Sequence, residues 1–354
     1  VSLIYVPLEN ITQRYSVMMN SVIYPYSDKV IYPDGFDKKY SDTIEKGQFL
    51  DINKTSIFKS TQLKMIAEMF YKGEIKDGDK FLFADIFFAG IESLRYMAEL
   101  QDIKIFIYGF NYAGRADQHD FVRKLDEWSD YSEKAYHLIC DRIFVGSEFH
   151  ANNVRTYFGR KEGDNIKYLN KPIDVTGYIW DLDYVEQTYS NKLVREKENF
   201  VIYPHRLCNE KGIDEFLQYA NNTDRHIVIT TSGNANKDIK LPDNVEYLSN
   251  LSKRQYYNVL SMAEYYLSTA YQETMGYTIS ESKYYGCKIL APNRACYPEV
   301  LPEINLYNSI DEIDEKFSTL EEQLIVTEPK YFYMFDKNIE QILELIGEGN
   351  RIKK

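Results

Sequence analysis

Short apolar runs alternate with stretches of helical spacing along most of the chain. The runs Leu3–Val6, Lys80–Ala84, Ile103–Tyr108, Arg142–Val145 and Ile166–Leu169 read as strands in the first half. Phe200–Tyr203, His226–Thr230, Val245–Leu248, Tyr265–Ser268 and Lys288–Ala291 read as strands in the second. Most precede a polar or glycine-containing turn and then a helical pattern. Between the first two runs, Leu63, Ile66, Ala67 and Phe70 fall on one helical face of Thr61–Tyr71. Strand–helix alternation of this kind predicts parallel sheets covered on both faces. The theme occurs twice, so the expected class is α/β with two Rossmann-like domains, residues 1–175 and 176–330. Pro172–Asn199, with Pro172, Gly177 and a dense charge mix, is expected to link them. Near the end, Ile339, Ile342, Leu343 and Ile346 share one face of a helix over Phe335–Ile346. Residues 331–354 are therefore expected to hold a terminal helix packing back toward the first domain.

Composition narrows the class. Of the 354 residues 44% are hydrophobic and 27% charged, the balance of a soluble globular protein. No stretch approaches the ~18 apolar residues of a membrane span. Val1-Ser2-Leu3-Ile4-Tyr5 does not read as a signal peptide, and a cytoplasmic protein is expected. Cys140, Cys208, Cys287 and Cys296 lie far apart, without zinc or disulfide spacing. A net charge of -12 argues against a generic polyanion binder. That charge is uneven: residues 1–175 hold 23 basic and 26 acidic residues, and the remainder 19 and 28. The 32 tyrosines fit a coding bias that also favours Lys, Asn and Ile, or aromatic stacking on an acceptor or base.

The segment richest in chemistry is Tyr271-Gln-Glu-Thr-Met-Gly-Tyr-Thr-Ile-Ser-Glu281. Glu273 follows a strand ending near Ala270, and Glu281 falls in the first turns of a helix read over Thr278–Tyr285. Both then sit in the crevice at the carboxyl ends of the strands, where open α/β sheets bind ligands. Backbone N–H groups at that helix start suit a phosphate. Gly276 lets the backbone approach it closely. Gly286 reads as the helix stop, followed by the strand Lys288–Ala291 and then Pro298-Glu-Val-Leu301.

This run resembles the E-x7-E signature of retaining GT-B glycosyltransferases, in particular glycosyltransferase family 4. Val201-Ile-Tyr-Pro-His-Arg-Leu-Cys-Asn-Glu-Lys-Gly212 is similar to the same family's strand and G-R-L…K-G loop. Weaker matches are Asp141–Phe149, Tyr168–Asp174 and Val245–Leu251. The resemblance implies two Rossmann-like domains facing across a cleft, the first for acceptor and the second for a nucleotide-sugar donor. It implies that Arg206 and Lys211 hold the diphosphate, Glu273 the sugar hydroxyls and Glu281 the ribose hydroxyls. Met275, Gly276, Tyr277 and Thr278 would line the donor, and Leu251 would lie against its base. A rigid guanidinium fork and a point charge suit a diphosphate leaving group. A UDP-sugar is the donor expected, with no metal or other cofactor. The chain departs from the family pattern at His205, Thr274 and Met275. Pro7-Leu-Glu-Asn-Ile-Thr-Gln-Arg-Tyr15 also replaces the family's glycine-rich first loop, so Glu9, Arg14 and Tyr15 are read as facing the acceptor or as local ion pairing.

On the acceptor side, Phe110-Asn-Tyr-Ala-Gly-Arg-Ala-Asp-Gln-His-Asp-Phe121 brings Arg115, Asp117, His119 and Asp120 into six residues. His119 or Asp117 is the candidate base, with Tyr112 and Arg115 as acceptor contacts. The plainer reading makes Asp117 the cap of a helix over Phe121–Trp128. Asp85 is a weaker candidate, and His137, His150 and His226 read as structural. Asp77-Gly-Asp79 and Asp181-Leu-Asp183 have the form of a metal pair, but sit in a turn and the linker. The short N-terminal loop, the interrupted glycine pattern and the compact size look more like phage-encoded glycosyltransferases, some of which decorate hydroxymethylated pyrimidines in DNA; a phage-encoded member would act in the host cytoplasm. DNA as acceptor requires a local basic stripe, for which Arg155, Arg160, Lys161, Lys167 and Lys171 are the source. The alternatives are a transferase for cell-surface glycans, a nucleotide-sugar 2-epimerase and a non-catalytic sugar-nucleotide binder. Oligomeric state is not legible.

Overall fold

The structure is a computed structural model that describes residues 1–11, 15–40, 51–159, 171–190, 196–231, 239–321 and 338–352, and twelve strands among the described residues form two parallel sheets. The described residues divide into two units, one of residues 1–181 with 338–352, the other of 182–321.

In the first unit the strands are β1 (Leu3–Val6), β2 (Lys29–Val30), β3 (Lys80–Phe83), β4 (Phe106–Phe110), β5 (Arg142–Val145) and β6 (Ile173–Val175). Their order across the sheet is β2-β1-β3-β4-β5-β6, with Leu3 opposite Lys80 and Val6 opposite Phe83. Successive side chains of a strand point to opposite faces. Accordingly Ile4, Val6, Phe81 and Phe83 enter one core, and Leu3, Tyr5, Leu82 and Ala84 enter the other. Burial on both faces explains why these strands read as unbroken apolar runs. The helix Asn338–Leu345 and the turn after it place Ile339, Ile342, Leu343 and Ile346 in the second core. Lys80 ties that end of the chain down through a 2.5 Å ion pair with Glu348.

The second unit holds β7 (Glu198–Tyr203), β8 (Ile227–Thr231), β9 (Val245–Ser249), β10 (Ala263–Leu267), β11 (Lys288–Pro292) and β12 (Leu306–Tyr307), in the order β12-β11-β10-β7-β8-β9. From β7 the chain runs outward through β8 and β9, then returns to the other side with β10. The loops after β7 and β10 therefore lie side by side at a topological switch point, the usual ligand crevice of open α/β sheets. The first unit has its own switch point between β1 and β3.

Several local expectations need correction. Pro172–Asn199 is not a plain linker: β6 completes the first sheet, Tyr178, Ile179 and Trp180 are buried, and Leu182–Val185 is helical. The strand expected at Ile103–Tyr108 begins later, because Asp102 takes a left-handed turn, with a φ of 55°, after the helix Glu92–Leu100. No helix spans Phe121–Trp128. A short 3-10 turn over Phe121–Lys124 is capped by Asp120, not Asp117, and the helix proper is Trp128–Ile139. The two-residue strands β2 and β12 are too short to leave a pattern. The expected strand Ile166–Leu169 and residues 335–337 of the expected terminal helix lie outside the described residues.

Candidate functional site

Two loops meet at the second unit's switch point. After β7 the chain passes His205 and Arg206, makes a 3-10 turn over Asn209–Lys211 and reaches Gly212 at a φ of 68°. Any Cβ there would run into the carbonyl oxygen of Thr269, just past β10. Glycine is thus required both by its left-handed backbone and by the close approach of the two loops. Tyr203 Oη and Thr269 Oγ1 donate to the Lys211 carbonyl oxygen at 2.8 and 2.9 Å. The amides of Tyr271 and Gln272 donate to the Glu210 carbonyl oxygen, each at 3.0 Å.

That stitching sets the charges. Lys211 Nζ lies 2.7 Å from the Gln272 carbonyl oxygen and 3.2 Å from Glu273 Oε2. Both side chains are under one-fifth exposed. Arg206 pairs with Glu210 at 3.0 Å. Arg294, from the loop after β11, braces the same segment. It grips Glu215 with both terminal nitrogens, donates to the carbonyl oxygens of Thr269 and Ala270, and lies over the Tyr271 ring.

Gly276, at a φ of 80°, starts the helix Tyr277–Tyr284 without a side-chain cap. Met275 is buried, Tyr277 half-buried, and Thr278 Oγ1 meets Tyr266 Oη at 2.9 Å. His205 is buried beside the same phenol, with Nε2 at 3.2 Å from Tyr266 Oη. Burial, with Lys211 and Arg206 nearby, holds its imidazole neutral, well below the usual histidine range. Glu281 is 3% exposed. Its two oxygens accept from Tyr257 at 2.8 Å and Tyr256 at 2.7 Å, and Lys253 stands 3.6 Å away. Glu281 is thus already satisfied by two phenols, which its spacing from Glu273 did not foretell. Leu251 is half-buried in the loop after β9.

The first-unit candidates divide differently. Glu9 is 3% exposed and accepts a hydrogen bond from Thr55. Asp85, at the matching position after β3, pairs with Lys59 at 2.9 Å, so these two carboxylates flank the switch point of that sheet. Tyr15 and Tyr112 pack on each other at 5.2 Å. Tyr112 also meets Phe110 and Tyr178, so its ring belongs to the wall rather than to a stacking platform. Arg115 organises its own loop, donating to Leu125 O at 2.9 Å and Ser129 Oγ at 2.6 Å. It is a structural arginine. Asp117 is buried and accepts from the His119 amide, while the His119 ring is exposed next to Gln118. His137 and His150 are buried, and desolvation lowers both to about 3. His226 is half-exposed beside Glu246.

Of the basic stripe, Arg155 pairs with Glu148 and Lys171 with Asp141. Arg160, Lys161 and Lys167 lie outside the described residues, as does Arg14. Asp77 and Asp79 accept backbone amides in a turn. Among the described residues no three His, Cys, Asp or Glu side chains group as metal ligands, and no helix is long and apolar enough to cross a membrane. Lys253, Tyr256, Tyr257, Tyr266 and Arg294 went unmarked in the sequence. Only the neighbouring tyrosines 256 and 257 and the overall tyrosine excess hinted at any of them.

The family described as Glycosyl transferases group 1 matches residues 185–305, which include both loops and both glutamates. The tRNA-queuosine alpha-mannosyltransferase of Drosophila melanogaster is 23% identical over 222 residues, 55% of this chain and 59% of that protein. The chain thus spans about three-fifths of the length of that curated relative. Among solved structures, sucrose-phosphate synthase from Thermosynechococcus elongatus superposes with a TM-score of 0.59 at 12% identity, covering 97% of this chain and 94% of that one. Anabaena HepE in complex with UDP-glucose gives 0.58 at 10% identity, covering 99% and 98%. The pneumococcal O-GlcNAc transferase GtfA, in complex with UDP and GlcNAc, gives 0.53 at 13%, covering 80% and 59%. At these identities the likeness establishes the fold, the two parallel-sheet α/β domains of GT-B glycosyltransferases.

Proposed function

We propose that the chain is a retaining glycosyltransferase that moves a sugar from a nucleotide diphosphate, a UDP-sugar in the first instance, to a hydroxyl on a nucleic-acid base. The observation that carries the reading is the Lys211–Glu273 pair at the β7/β10 switch point, with Arg206 on the same loop and Glu281 on the helix that follows. A cation beside a carboxylate suits a substrate with a diphosphate at one end and sugar hydroxyls at the other. Lys211, Arg206 and the start of the helix at Gly276 stabilise the departing diphosphate. Glu273 orients the sugar hydroxyls, and Glu281, held by its tyrosines, meets the ribose. The departing phosphate oxygen takes the acceptor proton, so the sugar is delivered to the face it left. Among the acceptor-side candidates, Glu9, Asp85 and His119 retain a place near the acceptor, while Arg115, Tyr112 and Asp117 support the loop that presents it.

The base as acceptor draws support from the mannosyltransferase named for a tRNA nucleoside. A hydroxymethylated pyrimidine in DNA, the modification of phage genomes, is the first acceptor to try, and a modified tRNA base the second. Incubation with a panel of nucleotide sugars, followed by mass spectrometry, should add one sugar mass to hydroxymethylated DNA or to tRNA. Transfer to cell-wall glycans alone contradicts the base acceptor. Isomerised donor without transfer points to a 2-epimerase. Donor turnover equal to background in wild type and Glu273→Ala points to a non-catalytic binder.

A further inference from the structure

The first unit contains a cavity of about 250 Å³ that none of the roles above uses. It lies between the first turns of the helix Ile52–Tyr71, the loop after β3 and the helix Trp128–Ile139. We propose that this cavity holds the unstacked base of the nucleic-acid acceptor, an inference that rests on the base-acceptor reading and gives it a location.

Three observations support it. The first is the rim. Ile52, Leu125 and Trp128 line the opening, and each exposes more than two-fifths of its surface, 61% for Trp128. Phe121, beside the lining residue Val122, is 54% exposed. Large apolar side chains gathered at one opening mark a binding surface more often than a solvated face. Aromatic rings there offer a stacking face to a base of any sequence.

The second is the interior. Phe87 and Tyr136 form an edge-to-face pair in the wall. Lys59 is already neutralised by Asp85, and it also donates to the Phe87 carbonyl oxygen. Glu133 is 1% exposed: Oε2 accepts the Arg115 amide at 2.8 Å, and Oε1 is buried with no hydrogen-bond partner among the described residues. Desolvation raises its carboxyl to about 8, so at neutral pH it is mostly uncharged. The lining is therefore electrically quiet, and the hydroxyls of Thr55, Ser56 and Ser132, whose protons already go to Glu9, Ile52 and Trp128, leave acceptor oxygens. A flat, uncharged heterocycle matches it, whereas a phosphate or charged sugar does not.

The third is the flank. Lys124 lies on the same 3-10 turn as Phe121 and Val122, next to the opening, where it suits a backbone phosphate beside an extruded base, while Arg123 holds that turn by lying over the Tyr157 ring and donating to the Arg115 carbonyl oxygen. Asp126 and Glu127 stand just beyond them, which favours a single extruded base over a long stretch of strand.

Trp128 makes the inference testable. The other tryptophan, Trp180, is 5% exposed, so quenching by an added ligand reports mainly on Trp128. Full-length protein is titrated with short single-stranded DNA and RNA oligonucleotides, and separately with free monosaccharides. UDP binding by calorimetry, on the same preparations, reports on the second unit. Saturable quenching by oligonucleotides of either kind is expected, with at least a tenfold weaker midpoint in Ser56→Phe, where a ring projecting from an exposed helical position fills the cavity. Trp128→Phe should keep UDP binding and lose the quench. An unchanged midpoint in Ser56→Phe, quenching by monosaccharides but not oligonucleotides, or base transfer without quenching would each overturn the assignment. Absence of UDP binding in wild type counts against the glycosyltransferase reading and leaves the quenching result to stand by itself.

Discussion

Lys211 Nζ stands 3.2 Å from Glu273 Oε2, joining the loop after β7 to the loop after β10 through one cation and one carboxylate. In the free protein each neutralises the other; in the proposed reaction the cation would turn to the diphosphate and the carboxylate to the sugar. Lys211→Ala should lower turnover about 10²- to 10³-fold, the loss typical of removing one preorganised charge from a leaving-group site. Its melting temperature should fall as well, because removing one partner of a pair under one-fifth exposed leaves the other uncompensated, at a cost of about 1–3 kcal/mol. Steady-state kinetics beside thermal melts check both halves.

Gly212→Ala tests the loop junction. Its methyl would collide with the Thr269 carbonyl oxygen at a backbone angle that disfavours any side chain. A loss of about 2–4 kcal/mol is expected, because the obstacle is backbone and cannot rotate away. Denaturant unfolding followed by circular dichroism measures it. A loss below 0.5 kcal/mol would show that the two loops are not locked together.

Glu281 is held by the hydroxyls of Tyr256 and Tyr257. Tyr257→Phe leaves the shape and removes one donor to a buried carboxylate, a change worth about 1–3 kcal/mol. If Glu281 reads the ribose, the variant should raise KM for the donor about tenfold and leave kcat within a factor of three. An equal fall in kcat and kcat/KM would place Glu281 in the transition state instead.

The first unit should be sensitive to pH on both sides. His137 and His150 titrate near 6.5 when exposed and near 3 in the fold, so the unfolded chain binds more protons between those values. Stability is then complete above about pH 6.5 and falls as pH drops toward 3. Glu133 behaves oppositely. Its carboxyl rises from 4.5 to about 8, so the native state holds the proton and stability falls as pH rises through that window. Melting curves from pH 4 to 9 should show a maximum, and Glu133→Gln should flatten the alkaline limb. An identical alkaline limb in both proteins would contradict the buried neutral acid.

Most of the strands were legible because both faces of each sheet are buried, which turns Leu3–Val6 and Arg142–Val145 into apolar runs with clear ends. β2 and β12 have two residues each and leave no period to detect. Arg206, Lys211, Gly276 and the two glutamates stood out as candidates because two short segments hold them, and the structure brings Lys211 and Glu273 within 3.2 Å of each other. Their supports were not. Tyr256 meets Glu281 across 25 positions, Arg294 meets Glu215 across 79, and nothing in either local stretch signals the partner. In the first unit the dense polar run Asn111–Asp120 looked chemical, yet much of it is loop scaffolding built around Arg115. The cavity near Trp128 draws its walls from three distant segments, so no motif announces it.

Calorimetric titration of the full chain with UDP-sugars, in parallel on wild type, Lys211→Ala and Arg206→Ala, reaches the donor site most directly. Saturable binding in wild type, weakened at least tenfold in each variant while both remain folded by circular dichroism, is the predicted result. Binding of equal strength in all three proteins would contradict the placement of the diphosphate at the β7/β10 switch point.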